Sequence, residues 1–376
     1  MAMHSTTTEE RAVLAQLIVS RRDLDEAADS LAELARLADT AGITVVGQVT
    51  QRRQFPDGGT MFGAGKVEDL RLAVEAAEAN IVLFDNDLNA IQAHLLNHEL
   101  GVRVMDRTEV ILQIFARRAR SAEAQAQVEL AQMEFLLSRI PKLEEQQRFK
   151  GGIGMRGPGE GRLRLRNVPI RRRIVALKKR LEGLRAKAEQ VRQKRPWPVV
   201  SLVGYTNAGK STLLNVLSGT EEYVDDRLFA TLDTKTKLMW LGTGREVLLT
   251  DTVGFIRNLP HTLVASFRST LDTAINADLL LVTVDASSPG VLDHLEVCRR
   301  TLKEIGAHKI PALIVLNKCD DAAAREATAH LAEDVPQAIP VSAKTGYGLD
   351  TLKLAIVEEL KRCCTLWQLP SATSEI

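Results

Sequence analysis

The chain has 376 residues, of which 45% are apolar and 26% charged, as expected for a globular protein of two or three domains. Its four cysteines form no CxxC pair, which argues against a disulfide framework or a zinc site and predicts a reducing, cytoplasmic location. The first residues lack the apolar core of a signal peptide, and no apolar run of about 18 residues occurs. Net charge is +1, but residues 148–195 contain 17 Lys or Arg and 3 Asp or Glu, a net of +14, so the rest carries −13. That segment predicts a polyanionic partner, with a solvated helix face as the alternative.

Strand-like and helix-like stretches alternate from residue 11 to residue 115. The runs AVLAQLIVS, ITVVGQV, NIVLF and VRV predict strands, and VEDLRLAVEAAEA, NAIQAHLLNHEL and the segment from Thr108 predict helices. Such alternation predicts a small α/β domain over residues 1–120. The polar, Gly-rich segment Gly58–Lys66 is interpreted as a connecting loop, with an RNA contact or a second nucleotide site as the alternative.

Two long helices are predicted next, over residues 121–147 and 170–195. The second carries a heptad seam, formed by Ile170, Ile174, Leu177, Leu181, Leu184, Ala188 and Val191. The first carries a stripe that shifts midway, formed by Val128, Ala131, Phe135, Leu136, Ile140 and Leu143, and Pro141 should bend or interrupt it. Pairing within one chain, as an antiparallel coiled-coil hairpin in a monomer, is preferred over a dimer interface. The loop between them, through Pro169, carries six glycines and is predicted to be irregular.

The segment VVSLVGYTNAGKST fits the phosphate-loop pattern GxxxxGK[ST] at a strand-to-helix turn. Glycines let backbone N–H groups face phosphates, and the helix N-terminus favours their negative charge. Lys210 should reach the β- and γ-phosphates, and Ser211 should bind Mg²⁺. Asn207 is expected either to bind a potassium ion or to stabilise the loop. The predicted nucleotide-binding residues here are Gly204, Tyr205, Thr206, Asn207, Ala208, Gly209, Lys210, Ser211 and Thr212.

The segment LLTDTVGF, about 40 residues later, fits the DxxG pattern after a strand. Asp251 is predicted to hold the Mg²⁺ shell, and the Gly254 N–H to sense the γ-phosphate, with Thr252 and Val253 between them in contact with nucleotide. Many GTPases place a Gln after this glycine to orient the attacking water. Phe255 stands there instead, which predicts slow intrinsic hydrolysis that rises when a partner orders the switch loops.

The segment IVLNKCD ends a third strand and predicts the choice of base. The Asp320 carboxylate can accept hydrogen bonds from the N1–H and N2–H₂ edge of guanine, and adenine offers no such donor pair. Lys318 would lie along the base, and the Ala343 N–H would contact the guanine oxygen. Other predicted contacts in these loops are Asn317, Ser342 and Lys344.

Between the first two motifs, DDRLFATLDTKTK has the polar character of a switch loop. A threonine there is expected to close over Mg²⁺ and the γ-phosphate, and Thr231 is preferred over Thr234. Phe229 and Ala230 are predicted to contact the nucleotide beside it. The predicted metal ligands are therefore Ser211, Thr231 and Asp251, and the residues predicted to act in hydrolysis are Lys210, Thr231 and Gly254.

Several longer segments resemble the HflX family of ribosome-associated GTPases, within the P-loop GTPases. They are DTVGFIRNLPHTLVASFRSTL, RRQFPDGGTMFGAGKVEDL, LGVRVMDRTEVILQIFARRARSAEAQAQVELAQMEF and GGIGMRGPGE. The resemblance covers roughly residues 10–365. It implies an N-terminal α/β subdomain, a helical hairpin over 121–195, a Ras-like GTPase domain with a mostly parallel sheet over 196–365, and a tail over 366–376.

The resemblance also implies a role. Members bind the large ribosomal subunit and are associated with splitting stalled ribosomes under stress, with the loop Gly151–Glu160 expected to reach ribosomal RNA. The candidate RNA-binding residues are Gly151, Gly152, Arg156, Gly157, Arg162, Arg171, Arg172 and Arg173. The alternative is a GTP-regulated scaffold that binds RNA or makes a peripheral membrane contact without splitting ribosomes.

Three departures from the family pattern stand out. The stretch GRLRLRNVPIRRR replaces an acidic one, so the return arm of the hairpin is more basic than the pattern expects. The switch contains Leu232-Asp233-Thr234-Lys235 where the family often has LDPT, which bears on the choice of the magnesium-binding threonine. Many members carry a further C-terminal domain, which is not expected after the helix predicted over Asp350–Lys361.

Overall fold

The computed structural model describes residues 9–19, 23–140, 158–192, 195–220, 227–242, 245–257, 268–320, 328, 335–364 and 367. The chain forms two compact units. One comprises Met1–Arg117 with Val128–Arg180, and the other comprises Arg118–Gln127 with Leu181–Ile376. The domain boundaries expected from the sequence stay predictions.

The first unit contains a four-stranded parallel sheet in the order β2-β1-β3-β4. Its strands are β1 (Arg11–Ile18), β2 (Thr44–Arg52), β3 (Ile81–Phe84) and β4 (Arg103–Asp106). The helices that alternate with these strands in sequence are α1 (Asp23–Thr40), α2 (Ala64–Ala76), α3 (Ala90–Leu100) and α4 (Arg107–Arg118). The α/β prediction is confirmed, but α1 was missed. Its signal was present, because Leu31, Leu34 and Ala38 recur at helical spacing and are all buried.

A buried charged cluster lies at the carboxyl ends of β3 and β4. The Arg107 guanidinium is 1% exposed and donates to Asp85 Oδ1 at 2.8 Å and to the Glu33 carboxylate. Ser30 Oγ donates to the other Asp85 oxygen at 2.7 Å. Buried charges persist when they are paired and hydrogen-bonded in this way.

The two helices after α4 are α5 (Ala122–Arg139) and α6 (Pro158–Arg192). Within the first unit they are joined by ion pairs of Glu129 with Arg173 at 2.5 Å and Glu134 with Lys178 at 2.9 Å. The heptad residues Ile174, Leu177 and Leu181 are buried, whereas Leu136 of the predicted α5 stripe is exposed. Residues 141–157, which include Pro141 and Leu143, lie outside the described residues, as do the side chains of Ala188 and Val191.

The prediction of an irregular loop through Pro169 is wrong, because α6 begins at Pro158. Proline suits the first position of a helix, where its missing N–H has no helical acceptor. Arg and Leu then favour helix over the following turns, although Gly161 does not. Pro169 removes one backbone hydrogen bond inside a helix of 35 residues, and the helix continues through it.

The second unit contains a six-stranded sheet in the order β10-β9-β8-β5-β7-β6, in which only β6 is antiparallel to its neighbour. Its strands are β5 (Val199–Gly204), β6 (Lys235–Trp240), β7 (Glu246–Asp251), β8 (Leu279–Asp285), β9 (Ala312–Asn317) and β10 (Ile339–Pro340). The helices are α7 (Lys210–Ser218), α8 (Arg268–Ile275), α9 (Val291–Glu304) and α10 (Leu349–Cys363). The mostly parallel sheet is confirmed. The switch stretch predicted to be a loop through Lys237 ends earlier, since β6 begins at Lys235 and pairs with β7.

Continuous apolar runs explain the central strands of this sheet. All residues of β5 are buried, because helices cover both faces. The carboxyl ends of β5, β7, β8 and β9 meet at one edge of the sheet, where open α/β sheets bind ligands. None of the helices within the described ranges is both long and apolar enough to cross a membrane.

Candidate nucleotide-binding site

The turn between β5 and α7 requires glycine at two positions. Gly204 has a φ of 150°, and a Cβ there would lie 2.0 Å from the carbonyl oxygen of Thr283. Gly209 has a φ of 82°, and a Cβ there would lie 2.3 Å from Asn317 Nδ2. Both φ values favour glycine and a side chain would clash at either place, so the turn can adopt this conformation, which suits a phosphate-binding loop, only with glycine there.

Lys210 is buried at this turn. Its Nζ donates to the carbonyl oxygens of Gly204 at 3.2 Å and Tyr205 at 2.8 Å. Burial lowers the pKa of the Lys210 ammonium, and the nearby Asp251 carboxylate opposes that shift. A buried ammonium beside the backbone of this turn is suited to binding the oxygens of a phosphate.

A set of oxygen atoms lies beside Lys210. Ser211 Oγ donates to Asp251 Oδ2 at 2.6 Å and lies 2.8 Å from Thr231 Oγ1. Burial raises the pKa of Asp251, while Lys210 and the hydrogen bond from Ser211 lower it. Asp251 Oδ1 is buried without a hydrogen-bond partner among the described residues. Hard oxygen donors around an unsatisfied carboxylate oxygen fit Mg²⁺, so the predicted metal ligands suit that ion.

The two candidate switch threonines differ in position. Thr231 contacts Ser211, whereas Thr234 is exposed. The geometry thus favours Thr231, which the sequence also prefers over Thr234, and its metal contact stays a prediction.

The DxxG segment packs closely against the phosphate loop. A Cβ on Gly254 would lie 2.8 Å from Thr206 Cα and 3.1 Å from Lys210 Nζ. Phe255 is 1% exposed, its N–H donates to Gly204 O at 2.9 Å, and its carbonyl accepts from the Thr206 N–H at 2.7 Å. The phenylalanine side chain is therefore part of the core and is not placed to orient water.

The loops after β9 and β10 are held together by Asn317. Its Nδ2 donates to Ala208 O at 2.8 Å, and its Oδ1 accepts from the Ala343 N–H at 3.1 Å. Both ends of the amide are thus used within the protein, so the side chain joins the phosphate loop to the 342–344 segment. The sequence predicts a nucleotide contact for Asn317 and does not predict this link.

The predicted base-reading residues lie in the same loops. The Asp320 carboxylate accepts a hydrogen bond from Ser342 Oγ, which in turn accepts from the Thr345 N–H at 3.0 Å. Lys318 has a φ of 68°, and its Nζ lies 2.7 Å from Asp285 Oδ2. These contacts fix the orientation of the carboxylate and of the lysine that should lie along the base.

A cavity of about 560 Å³, which includes its open mouth, lies over the phosphate loop. Its predicted lining residues are Thr206, Asn207, Gly209, Lys210, Ser211, Thr212, Phe229, Ala230, Thr231, Thr252, Gly254 and Lys318. Arg227 also lines it and was missed. The only signal was its place two residues before Phe229, in the predicted switch loop.

Tyr205, Ala208 and Val253 are predicted nucleotide contacts, but their side chains are buried and do not line the cavity. The Tyr205 ring stacks on His294 with centroids 3.9 Å apart, and its hydroxyl oxygen accepts from the Arg257 N–H at 3.2 Å. A nucleotide can meet only the backbone of these residues.

The RNA-binding candidates fall into three groups. Gly151, Gly152, Arg156 and Gly157 lie outside the described residues, as does the side chain of Arg162. Arg171 and Arg172 are exposed on α6. Arg173 is exposed but bonded to Glu129. Two adjacent guanidinium groups on α6 thus face solvent.

Three family models match the chain consecutively. They are described as GTP-binding GTPase N-terminal over residues 28–116, GTP-binding GTPase Middle Region over 118–195, and 50S ribosome-binding GTPase over 199–318. The GTPase HflX of Caldanaerobacter subterraneus subsp. tengcongensis is 45% identical over 360 residues, covering 94% of this chain and 81% of the relative. That of Escherichia coli (strain K12) is 41% identical over 356 residues, covering 93% and 83%.

A solved structure agrees with the fold. The structure titled as a complex of SsGBP and GDP aligns with a TM-score of 0.50 and 25% identity, covering 96% of this chain and all of that one.

Fold, site and relatives together define a P-loop GTPase, which binds guanine nucleotide and hydrolyses GTP. Within that class, the chain belongs to the GTPase HflX family, as its segments had indicated.

Proposed function

We propose that this GTPase acts on the large ribosomal subunit, where its GTP cycle separates or releases stalled ribosomes. The observation that carries the proposal is the net charge of +14 over residues 148–195, just before the phosphate loop. Lysine and arginine clusters attract phosphate backbones and release counterions. The match of residues 199–318 to a family described as 50S ribosome-binding GTPase supports the same partner.

In this proposal Lys210, Thr231 and Gly254 position the γ-phosphate for attack by water. Ser211, Thr231 and Asp251 would hold Mg²⁺, which when bound neutralises charge on the phosphate oxygens. Asn207, exposed and with a φ of 59°, stays the candidate for a potassium ligand. Because Phe255 is buried, hydrolysis by the isolated protein is slow and rises when large subunits order the switch loops.

Sedimentation of ribosomes through sucrose gradients tests the proposal. With GTP, the wild-type protein is expected to raise the ratio of free subunits to intact ribosomes, and Lys210→Ala to leave that ratio at the level without protein. A non-hydrolysable GTP analogue separates binding from turnover, because it should support association with the large subunit. An unchanged ratio together with intact binding would favour the scaffold function, and hydrolysis unaffected by large subunits would contradict the ribosomal role.

A further inference from the structure

The carboxylate of Asp233 is bound at the start of helix α5. It accepts hydrogen bonds from the Arg120 N–H at 2.8 Å, from the Ser121 N–H at 3.2 Å, and from Ser121 Oγ. Ser121 Oγ also accepts from the Ala124 N–H at 3.1 Å, as a helix N-cap does. All of these residues belong to the second unit. An anion at this end of a helix is favoured by the helix dipole and by unpaired N–H groups.

Thr231, two residues before Asp233, is a predicted magnesium ligand and contacts another one. Thr231 Oγ1 lies 2.8 Å from Ser211 Oγ. Leu232, between Thr231 and Asp233, is 2% exposed and so is fixed in the core. After Asp233, Lys235 begins β6 opposite Asp251. The segment is therefore held at the phosphate loop, in the core, at α5 and in the sheet.

Chain length makes these attachments interdependent. Two residues span at most about 7 Å, so Asp233 cannot move far from its place unless Thr231 moves with it. A threonine that closes over the γ-phosphate must be placed to within about 1 Å for full effect. The contact at α5 thus bears on the position of Thr231 as well as on the helix.

We propose that Asp233 is a positioning residue for GTP hydrolysis. By binding the start of α5, it holds Thr231 over the predicted metal site and makes the order of α5 depend on whether a γ-phosphate is bound. The proposal rests on the role of Thr231 given above, and not on ribosome splitting. A helix cap without influence on the switch is the competing explanation.

Kinetics of the isolated protein distinguish a positioning role of Asp233 from a simple helix cap. For Asp233→Ala we expect kcat for GTP to fall about tenfold, the loss associated with one charge-assisted hydrogen bond. Affinity for the GTP analogue should fall while affinity for GDP, which has no γ-phosphate, stays unchanged. Asp233→Asn should retain most activity, because its amide oxygen still accepts from the helix N–H groups. Asp350→Ala is the matched control, since it removes an exposed carboxylate from the first turn of α10.

Ser121→Ala removes a donor from the other side of the contact. It should lower kcat by less than Asp233→Ala does, and the double variant should resemble Asp233→Ala alone.

Hydrogen exchange measures the order at the start of α5. The amides of Arg120 and Ser121 should exchange more slowly with the GTP analogue than with GDP, and this difference should vanish in Asp233→Ala.

Two outcomes overturn the proposal. One is a lower melting temperature in Asp233→Ala with kcat and the preference for the GTP analogue unchanged, which is the result for a simple cap. The other is equal exchange of Arg120 and Ser121 with both nucleotides in the wild-type protein. If Asp233→Ala does not fold, kcat of Ser121→Ala and the exchange of the Arg120 and Ser121 amides in the wild-type protein decide. Thr231→Ala identifies the underlying failure, because unchanged kcat there removes the assumed role of Thr231 itself.

Discussion

The sequence predicts that one carboxylate, that of Asp320, selects guanine. Ser342 Oγ donates to it, and the Thr345 N–H fixes Ser342 in turn. Two guanine N–H groups can then meet an acceptor that is already oriented, so little conformational entropy is lost on binding.

Asp320→Asn is expected to weaken GTP binding by about 100-fold, because the new NH₂ group faces a guanine donor and leaves it unpaired. Xanthosine triphosphate has a carbonyl oxygen in place of the guanine 2-amino group. The variant should therefore bind it more tightly than it binds GTP. Titration with fluorescent nucleotides measures both affinities, with Asp350→Asn as control. A variant that still prefers GTP would contradict the role of Asp320.

At this scale the sequence predicted the motif residues because their pattern follows the chemistry of phosphate and guanine. It could not predict which groups bond one another. The Asn317 amide joins residues 109 and 26 positions away in the chain, and the Tyr205 ring stacks on His294. Such contacts depend on strand order, which motif spacing does not contain. Arg227 was missed because the cavity wall is defined only by the folded switch loop.

At the scale of elements, periodicity found most helices and strands, and errors arose where composition and context compete. Glycines and Pro169 predicted irregular structure where α6 is already helical. Strand β6 was hidden in a polar stretch because an edge strand covers a core with only one face.

Burial also changes the pKa of a carboxyl group at the end of a strand. Asp106, at the end of β4, is 1% exposed, and burial raises its pKa to about 6, although Arg139 opposes the shift.

This shift predicts how stability depends on pH. An acid with a higher pKa in the folded than in the unfolded chain binds more protons when folded between about pH 4 and pH 6, so the free energy of unfolding falls as pH rises through that window. The difference from the ordinary aspartate pKa of 3.8 corresponds to at most about 3 kcal/mol. Asp106→Asn removes the titration, and denaturant unfolding of both proteins across that range measures it. A difference in stability that does not vary with pH would contradict the prediction.

At the scale of the whole molecule, positive charge is concentrated in one segment, and the remainder is acidic. Arg171 and Arg172 are an exposed adjacent pair of this segment on α6. An acidic remainder repels RNA, so affinity should depend strongly on the basic segment and on ionic strength. The charge count was available from the sequence, but the exposure of these two arginines and the pairing of Arg173 with Glu129 were not.

Replacing Arg171 and Arg172 together by Ala should weaken binding to large-subunit RNA. It should also reduce the slope of log affinity against log salt by about one to two, since each phosphate contact contributes about one. Arg299 and Arg300, a second adjacent exposed pair on α9, serve as the control. Filter binding at several salt concentrations gives the slopes, and GTP hydrolysis without RNA should be unchanged. Equal slopes for both double variants would mean that the α6 pair is only a solvated face.

The GTPase unit is discontinuous along the chain, because it includes Arg118–Gln127 as well as Leu181–Ile376. A fragment cut just before the phosphate loop, at the point that the motif order suggests, would lack this stretch and with it the N–H groups that bind Asp233. The turnover of such a fragment would describe a switch loop with one attachment missing. Residues 118–127, which the sequence divides between the N-terminal subdomain and the hairpin, thus group with the GTPase unit, and insertions or mutations there are expected to affect GTP hydrolysis.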